Sequence, residues 1–362
     1  MTFALYTNSI SPHQLPLARE LVGQLGAENY RYVYTTEPLA DRVGMGWKTE
    51  KAPWIIPYGC DEAQRWLVDA DVVMMQHPRD WRLFEDRLRR GKTCLYASER
   101  WFKPIHVIFD MDGRLRMIHP GYRRMANRFV SLVREHPRFL VLPVGLHAKK
   151  DFKWLGVSES RILDWGYFVE RGERGTTLRQ GYGWRAGNGE RRKDEVPGSA
   201  QGHAPLKVMW AGRMLRLKRV GNLIDAVRRN AGCELTLIGD GPERRRLERR
   251  ARGLSVRFRP FMPSEEIRRL MREHDVFVFP SCAMEGWGAV VGEALEEGMQ
   301  VFGTFEAGAS ATMLPQSHLF HVGDVDRLAD LLSQARALPR PAIGEWTAAS
   351  AAKRLLSRLE RL

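Results

Sequence analysis

Glu285 and Glu293 stand eight positions apart in the stretch "FVFPSCAMEGWGAVVGEALEEGMQV", with a Gly-Trp-Gly turn and the apolar run Ala289-Val290-Val291 between them. Carboxylates accept hydrogen bonds from hydroxyl groups. Gly286 and Gly288 let the backbone approach a bound molecule closely. The amides of Trp287, Gly288, Ala289 and Val290 are expected to open a helix, where amide groups favour a phosphate. The spacing therefore suits a ligand with hydroxyls at both ends and phosphate between them. Either glutamate alone reads most simply as an exposed charge at a helix end; the pair, placed after a strand-like run, reads as a binding site.

Three upstream features share this chemistry. "WAGRMLRLKRV" places Gly212, Arg213 and Lys218 after an apolar run and around a helix start, and two cations beside a helix N-terminus form a diphosphate clamp. "LIGDGPE" puts a Gly-Asp-Gly turn, beginning at Gly239, at the next strand end. "FRPFMPSEE" offers Phe261 and backbone groups where a nucleobase could dock. A nucleotide sugar, with a diphosphate between two sugars, fits the combination; each feature singly is weak, because basic residues are abundant in this chain.

Elements that could hold these residues recur along the sequence. "FALYTN", "YRYVYTT", "DADVVMMQHP" and "KTCLYASER" read as strands, and "HQLPLARELVGQLG" and "HPGYRRMANRFVSLVREHP" as amphipathic helices. The second half repeats the alternation from "LKVMWAGR" onward, with Ser264 expected to cap a helix and Gly298 to close one. Alternating strands and helices imply parallel α/β sheets with ligands at the carboxyl ends of the strands. We expect a first Rossmann-like domain over 1–170 that binds the acceptor and a linker or loop, rich in Gly and Arg, over 171–205. A second, nucleotide-binding domain is expected over 206–340, and a helix over 341–362 that returns to the first. The fold class is α/β, two doubly wound domains facing across a cleft.

The chain has 362 residues, long enough for two domains, and its 44% hydrophobic content excludes a disordered protein. A net charge of +14 points to an anionic partner: a phosphorylated small molecule, an anionic membrane face or nucleic acid. The Arg-rich helix "PERRRLERRARG" lacks interleaved aromatics and no nucleic-acid motif occurs, so nucleic acid is not the expected partner. Cys60, Cys94, Cys233 and Cys282 form no CxxC spacing, and with no leader or spanning run the expected place is the cytoplasm; the basic helix face of Arg123, Arg124, Arg128 and Arg134 reads equally as a solvated surface or as a face for anionic lipid at the inner membrane or an anionic acceptor.

The order GR-x4-K, IGDGPE, a short strand and E-G-W-G-x4-GEAL resembles the nucleotide-binding half of the family-4 (group 1) retaining glycosyltransferases of GT-B fold, closely over about residues 207–325. The resemblance implies that Arg213 and Lys218 stabilise a departing nucleoside diphosphate. It implies that Glu285 contacts the transferred sugar, Glu293 the ribose, and the backbone from Gly286 to Val290 a phosphate. It implies no cofactor and no metal, the two cations supplying the charge. Asp110 and Asp112 in "VIFDMDGRLRMI" resemble two metal motifs, the DxD of metal-dependent glycosyltransferases and the DxDG of haloacid-dehalogenase-type phosphatases; the latter wants a Thr where Arg114 stands and an N-terminal position, and the stretch reads rather as a hairpin turn between two alternating strands.

The first half departs from the family pattern. The loop "NSISPHQ" has no glycine, and "LYASERWFK" offers Ser98, Glu99 and Arg100 where many members carry a histidine. His13 and Glu99 are the candidate catalytic residues there, against a helix-start histidine and a buried ion pair as plain alternatives; His77 is a weaker candidate. Implied partners are a nucleotide-sugar donor and a sugar or lipid-linked acceptor. A same-fold epimerase or phosphorylase, an inactive scaffold and a nucleic-acid binder remain as alternatives on the sequence alone.

Overall fold

A computed structural model of the chain describes residues 1–37, 50–76, 81–102, 113–169 and 204–362. The first half builds a parallel sheet from β1 (Phe3–Thr7), β2 (Tyr30–Tyr34), β3 (Ile55–Pro57), β4 (Val72–Gln76), β5 (Thr93–Ser98) and β6 (Phe139–Pro143). Its helices are α1 (Leu15–Leu25), α2 (Asp61–Asp69), α3 (Trp81–Arg89), α4 (Pro120–Glu135) and α5 (Leu146–Trp154). The second half supplies β7 (Leu206–Ala211), β8 (Cys233–Ile238), β9 (Val256–Arg259), β10 (Val276–Phe279), β11 (Gln300–Thr304) and β12 (Leu319–Phe320). Its helices are α6 (Val220–Arg228), α7 (Arg244–Arg250), α8 (Ser264–Glu273), α9 (Val290–Glu296), α10 (Gly308–Met313), α11 (Val325–Gln334) and α12 (Ala348–Leu359).

The two sheets share one topology. The first runs β3-β2-β1-β4-β5-β6 and the second β12-β11-β10-β7-β8-β9, so each begins at its centre and is wound outward in both directions. All pairings are parallel, for example Leu5↔Met74 and Trp210↔Leu237. Strands buried on both faces explain the near-continuous apolar runs: β1 and β6 are buried at every position. In each sheet the strand order reverses beside the first strand, and the loops there form a crevice for a ligand.

The two halves meet through an apolar core that continues from one sheet to the other, from Leu5 and Leu142 through Trp165 to Phe277 and Trp287. α12 closes the return path. Thr347 caps it by accepting from the Ser350 amide, and its Arg354 donates to the Asp164 carbonyl at 3.3 Å. Its Ala351, Ala352 and Leu355 join the same core as Leu17 and Leu21 of α1.

Some local expectations give way. Residues Gly113–Ile118 form a 3-10 helix, so the expected second arm of a hairpin is absent; Asp110 and Asp112 lie outside the described residues, as do His77 and most of the expected linker. Ser264 is the first helical residue of α8, with Pro263 at the cap position and no side-chain cap bond. Proline's fixed φ and its effect on the preceding residue set that entry without help from the hydroxyl. Gly298 does close α9, at φ +73°.

Candidate functional site

The second sheet's reversal point lies between β7 and β10, and the loops that follow these two strands carry the expected clamp. After β7 come Gly212, Arg213 and a 3-10 turn over Arg216–Lys218. After β10 comes the segment to Ala289, which holds Glu285 and the Gly-Trp-Gly turn. A backbone hydrogen bond from the Cys282 amide to the Leu217 carbonyl, 2.9 Å, joins the two loops. It places the Lys218 ammonium on the Glu285 carboxylate in a direct ion pair. Both side chains are mostly shielded, at 17% and 16% exposure, so this pair is less screened than a surface one. The Lys218 ammonium also lies 5.6 Å from the centre of the Phe279 ring. Arg213 is exposed at the start of the loop after β7.

Glycine packing fixes these loops. Gly239 has φ +129°, and a Cβ there would collide with the Gly212 carbonyl oxygen. The Gly-Asp-Gly turn is thus laid backbone to backbone on the loop after β7, with the Met214 amide donating to the Asp240 carbonyl at 2.7 Å. Phe261 lies beside Gly239 and is 36% exposed, leaving an apolar ring open to solvent at the rim. Gly288 has φ +94° and its Cα abuts the Phe279 ring.

The helix start is displaced from the expected one. α9 begins at Val290, with Ala289 at its cap position, so Trp287 and Gly288 precede it in irregular backbone. The positive φ of Gly288 breaks helical geometry there. The Trp287 side chain is packed at the domain junction. It is 2% exposed and points between the domains, against Gly145 and Gly166, with its ring 6.0 Å from Trp346 and 6.5 Å from Tyr167. Only its backbone faces the loop, where its carbonyl accepts from the Ala309 amide at 2.9 Å.

Glu293 occupies the first turn of α9. Burial pushes its carboxyl above the usual range, Arg268 opposes this, and Glu297 adds to it. Arg268 in turn donates to Glu297 at 2.5 Å, and Arg272 to the same carboxylate at 2.8 Å, so Glu293 sits at the edge of a small charged cluster between α8 and α9.

From the first domain, Glu99 at the end of β5 crosses to the second. Its carboxylate lies against Gly286, where a Cβ would overlap it. Arg100 turns the other way, 3.6 Å from the buried Asp151, so the buried ion pair of this stretch is Arg100–Asp151. Tyr167, which the sequence did not single out, gathers the expected residues. Its hydroxyl donates to Glu99 at 3.4 Å, and its ring is 6.5 Å from His13 in stacked orientation and edge-on to Trp287. Burial and the neighbouring Glu99 carboxylate push its phenol far up, so it remains a donor across the physiological range. Its one sequence signal is the aromatic cluster Trp165-Gly166-Tyr167-Phe168 at the domain junction.

The interface around this point is polar as well as apolar. The Leu146 amide donates to the Thr312 hydroxyl at 2.9 Å, and the His147 ring bonds the Phe305 carbonyl at 2.6 Å. Beside the loop after β1 lies a concavity of about 580 Å³ lined by Ile10, Tyr34, Glu37, Glu50, Lys51 and Ile55. It belongs to the first domain and shares no residue with the second domain's loops. Among the described residues no group of three or more His, Cys, Asp or Glu is placed to hold a metal ion, and no helix is long and apolar enough to cross a membrane.

Comparison with known proteins decides the family of the second half. Residues 205–337 match the family described as "Glycosyl transferases group 1". The second domain is a group 1 glycosyltransferase domain. The amylovoran biosynthesis glycosyltransferase AmsK of Erwinia amylovora is 31% identical to this chain over a stretch that covers 29% of each. The match thus spans less than a third of that relative's length. Over the whole chain, the glycosyltransferase domain and its partner superpose on two solved structures of low sequence identity. These are the lipopolysaccharide outer core galactosyltransferase WaaB in its apo form (TM-score 0.64, 13% identical, 100% of both chains) and Anabaena Alr3699/HepE in complex with UDP (TM-score 0.58, 15% identical, 100% of this chain and 95% of that one). At these identities the likeness establishes the two-domain GT-B fold.

Proposed function

We propose that this chain moves a sugar from a nucleoside-diphosphate donor to an acceptor hydroxyl, with retention at the anomeric carbon. The observation that carries this reading is the Lys218–Glu285 pair at the second sheet's reversal point, with Glu99 of the first domain brought against Gly286 beside it. A cation and a carboxylate held together serve the two ends of one bond cleavage. Lys218, with Arg213, neutralises charge as the diphosphate leaves. Glu285 accepts hydrogen bonds from hydroxyls of the transferred sugar. Phe261 offers a face for the base, Glu293 an acceptor for the ribose, and the backbone from Gly286 to Val290 a bed for phosphate.

In the step itself, the anomeric carbon loses its bond to the phosphate oxygen and gains one to the acceptor oxygen on the same face. The acceptor's proton passes to the leaving phosphate, so no enzymic nucleophile is required. Glu99, held by Tyr167 beside His13, orients the acceptor or the sugar from the other side of the cleft. Domain closure over this point would exclude water.

The acceptor is proposed to be lipid-linked or otherwise anionic, met at the cytoplasmic face of a membrane in the synthesis of surface polysaccharide or glycolipid. The net charge of +14 supports this, as do the names of the relatives, one from amylovoran biosynthesis and one from the lipopolysaccharide outer core. The test is product analysis. Incubation with UDP, GDP, ADP and TDP sugars and a bacterial lipid extract should yield a glycosylated acceptor with the donor's anomeric configuration by NMR. Conversion of the donor with no acceptor would indicate an epimerase instead, and an inverted product would refute retention.

A further inference from the structure

We infer that the outer face of the first domain, around the start of α4 and the end of α5, is a docking surface for an anionic lipid bilayer. This inference deepens the lipid-linked acceptor reading above and rests on it for its purpose, while its test does not depend on turnover. Ile118 is 77% exposed at the end of the 3-10 turn, and Met125 and Trp154 are also open to solvent. Tyr122 and Met125, three apart on α4, lie along one side of the helix, and Ile118 stands just before its His119 cap. Trp154 joins this stripe through Phe102, whose ring is 5.2 Å from Trp154 and 6.4 Å from Tyr122. Arg114 lies over the Trp154 ring at 5.0 Å.

Charge identifies the occupant. Arg123 and Arg124 are exposed in the first turns of α4, between Tyr122 and Met125 in sequence, and Arg134 is exposed further along. Apolar side chains with arginines interleaved, plus an exposed tryptophan, are the composition of a helix that lies in the headgroup plane. Long arginine side chains can cover apolar surface with their stems while their heads reach phosphate. A protein partner of ordinary interface composition would not need this density of cations.

The position suits the work. Trp101 and Phe102 follow Glu99 after the single residue Arg100, so the patch and the cleft are tied by one short segment. α5 links them a second way: its His147 touches the second domain at Phe305, and Trp154 is seven residues on, about 10 Å away at a helical rise of 1.5 Å per residue. A bilayer resting on the patch would lie beside the cleft without covering it.

The experiment is co-sedimentation of the full chain with phosphatidylglycerol/phosphatidylethanolamine vesicles and with phosphatidylcholine vesicles, at low and high salt. Two variants are compared, Ile118→Ser with Trp154→Ser, and Arg123→Gln with Arg124→Gln. The native chain should bind the anionic vesicles at low salt and release at high salt. The arginine variant should bind roughly ten- to thirty-fold more weakly, at about five-fold per charge, and the serine variant at least ten-fold more weakly. Calorimetric titration with nucleoside diphosphates should be the same in all three proteins, which separates this inference from the proposed function. A native chain that stays in the supernatant with anionic vesicles would overturn it, as would variants that sediment like the native chain. So would a native dimer in analytical ultracentrifugation that the serine variant alone converts to monomer, since the patch would then be an interface between copies.

Discussion

The two domains have the same strand order and differ in what holds the loops at the reversal point. In the second, glycine does it. Gly239 rests on the Gly212 carbonyl and Gly288 passes under the Phe279 ring, so the chain packs closely there with no side chain of its own between. In the first, side chains do it. The loop after β1 contains no glycine; Gln14 bonds both Tyr32, at 2.5 Å, and Gln76, and the Tyr32 hydroxyl donates to the Ser9 carbonyl at 3.1 Å. The lesson is that one topology supports two kinds of crevice. A glycine-built one can receive phosphate closely, and a side-chain-built one presents shape and hydrogen-bonding groups to a more varied ligand. This is the division expected of a donor domain and an acceptor domain.

The sharpest way to break the comparison is to separate the domains. Trp287 belongs to the second domain's turn yet its ring is packed among residues of both. Trp287→Ala should cost about 3–5 kcal/mol of stability, as for other buried aromatic truncations, and chemical denaturation should show the two domains unfolding in distinct steps. Next is the clamp. Lys218→Met leaves the shielded Glu285 carboxylate without its cation and should lower turnover by about 10²–10³, the loss typical of a single electrostatic stabiliser, with a fall in melting temperature from the unpaired charge. If the first domain supplied the charge for the leaving group, Lys218→Met would leave turnover largely intact.

Phe261→Ala sharpens the assignment of the base. Loss of one stacking face should weaken nucleoside diphosphate binding by about 1–2 kcal/mol and leave inorganic pyrophosphate binding unchanged. The smallest effect is that of pH on the interface. Burial first, and Arg100 and Lys150 nearby, hold the His147 imidazole below its ordinary value, against the Phe305 carbonyl bond that favours its proton. The unfolded chain therefore binds the proton more readily. Stability from this site is full above the ordinary value of about 6.5 and is lost as pH falls through the lowered one. His274 and His318 carry shifts of the same sign from burial. Thermal melts from about pH 7.5 down to about 5.5, a window that brackets the ordinary histidine value, should show declining stability, and His147→Gln should reduce the slope without abolishing it.

Much of the second domain was legible in the sequence because its chemistry is local. Arg213, Lys218, Gly239, Glu285 and Glu293 sit within a short reach of strand ends, and strand, turn and helix signals all agree there. The first domain was less legible. β3 has only three residues, too few for a periodicity, and α2 follows it after a turn of "YGC" without a capping side chain. The 3-10 turn at Gly113–Ile118 shares with a hairpin the same Asp-Gly start, and local pattern cannot separate the two. Tyr167 could not be assigned because its role depends on His13 and Glu99, far apart in the chain and brought together by the folding of the first domain, and on Trp287, brought by the docking of the second. The Ser264 cap failed because Pro263 already fixes the entry of α8.

The central claim, that the glycine-built crevice of the second domain is a nucleoside-diphosphate clamp, is tested most directly by calorimetric titration with UDP, GDP, ADP and TDP on the native chain and on Arg213→Ala. The account predicts micromolar binding of one of the four, lost or weakened at least ten-fold in the variant. No binding of any diphosphate to the native chain, or equal binding to both proteins, would contradict it.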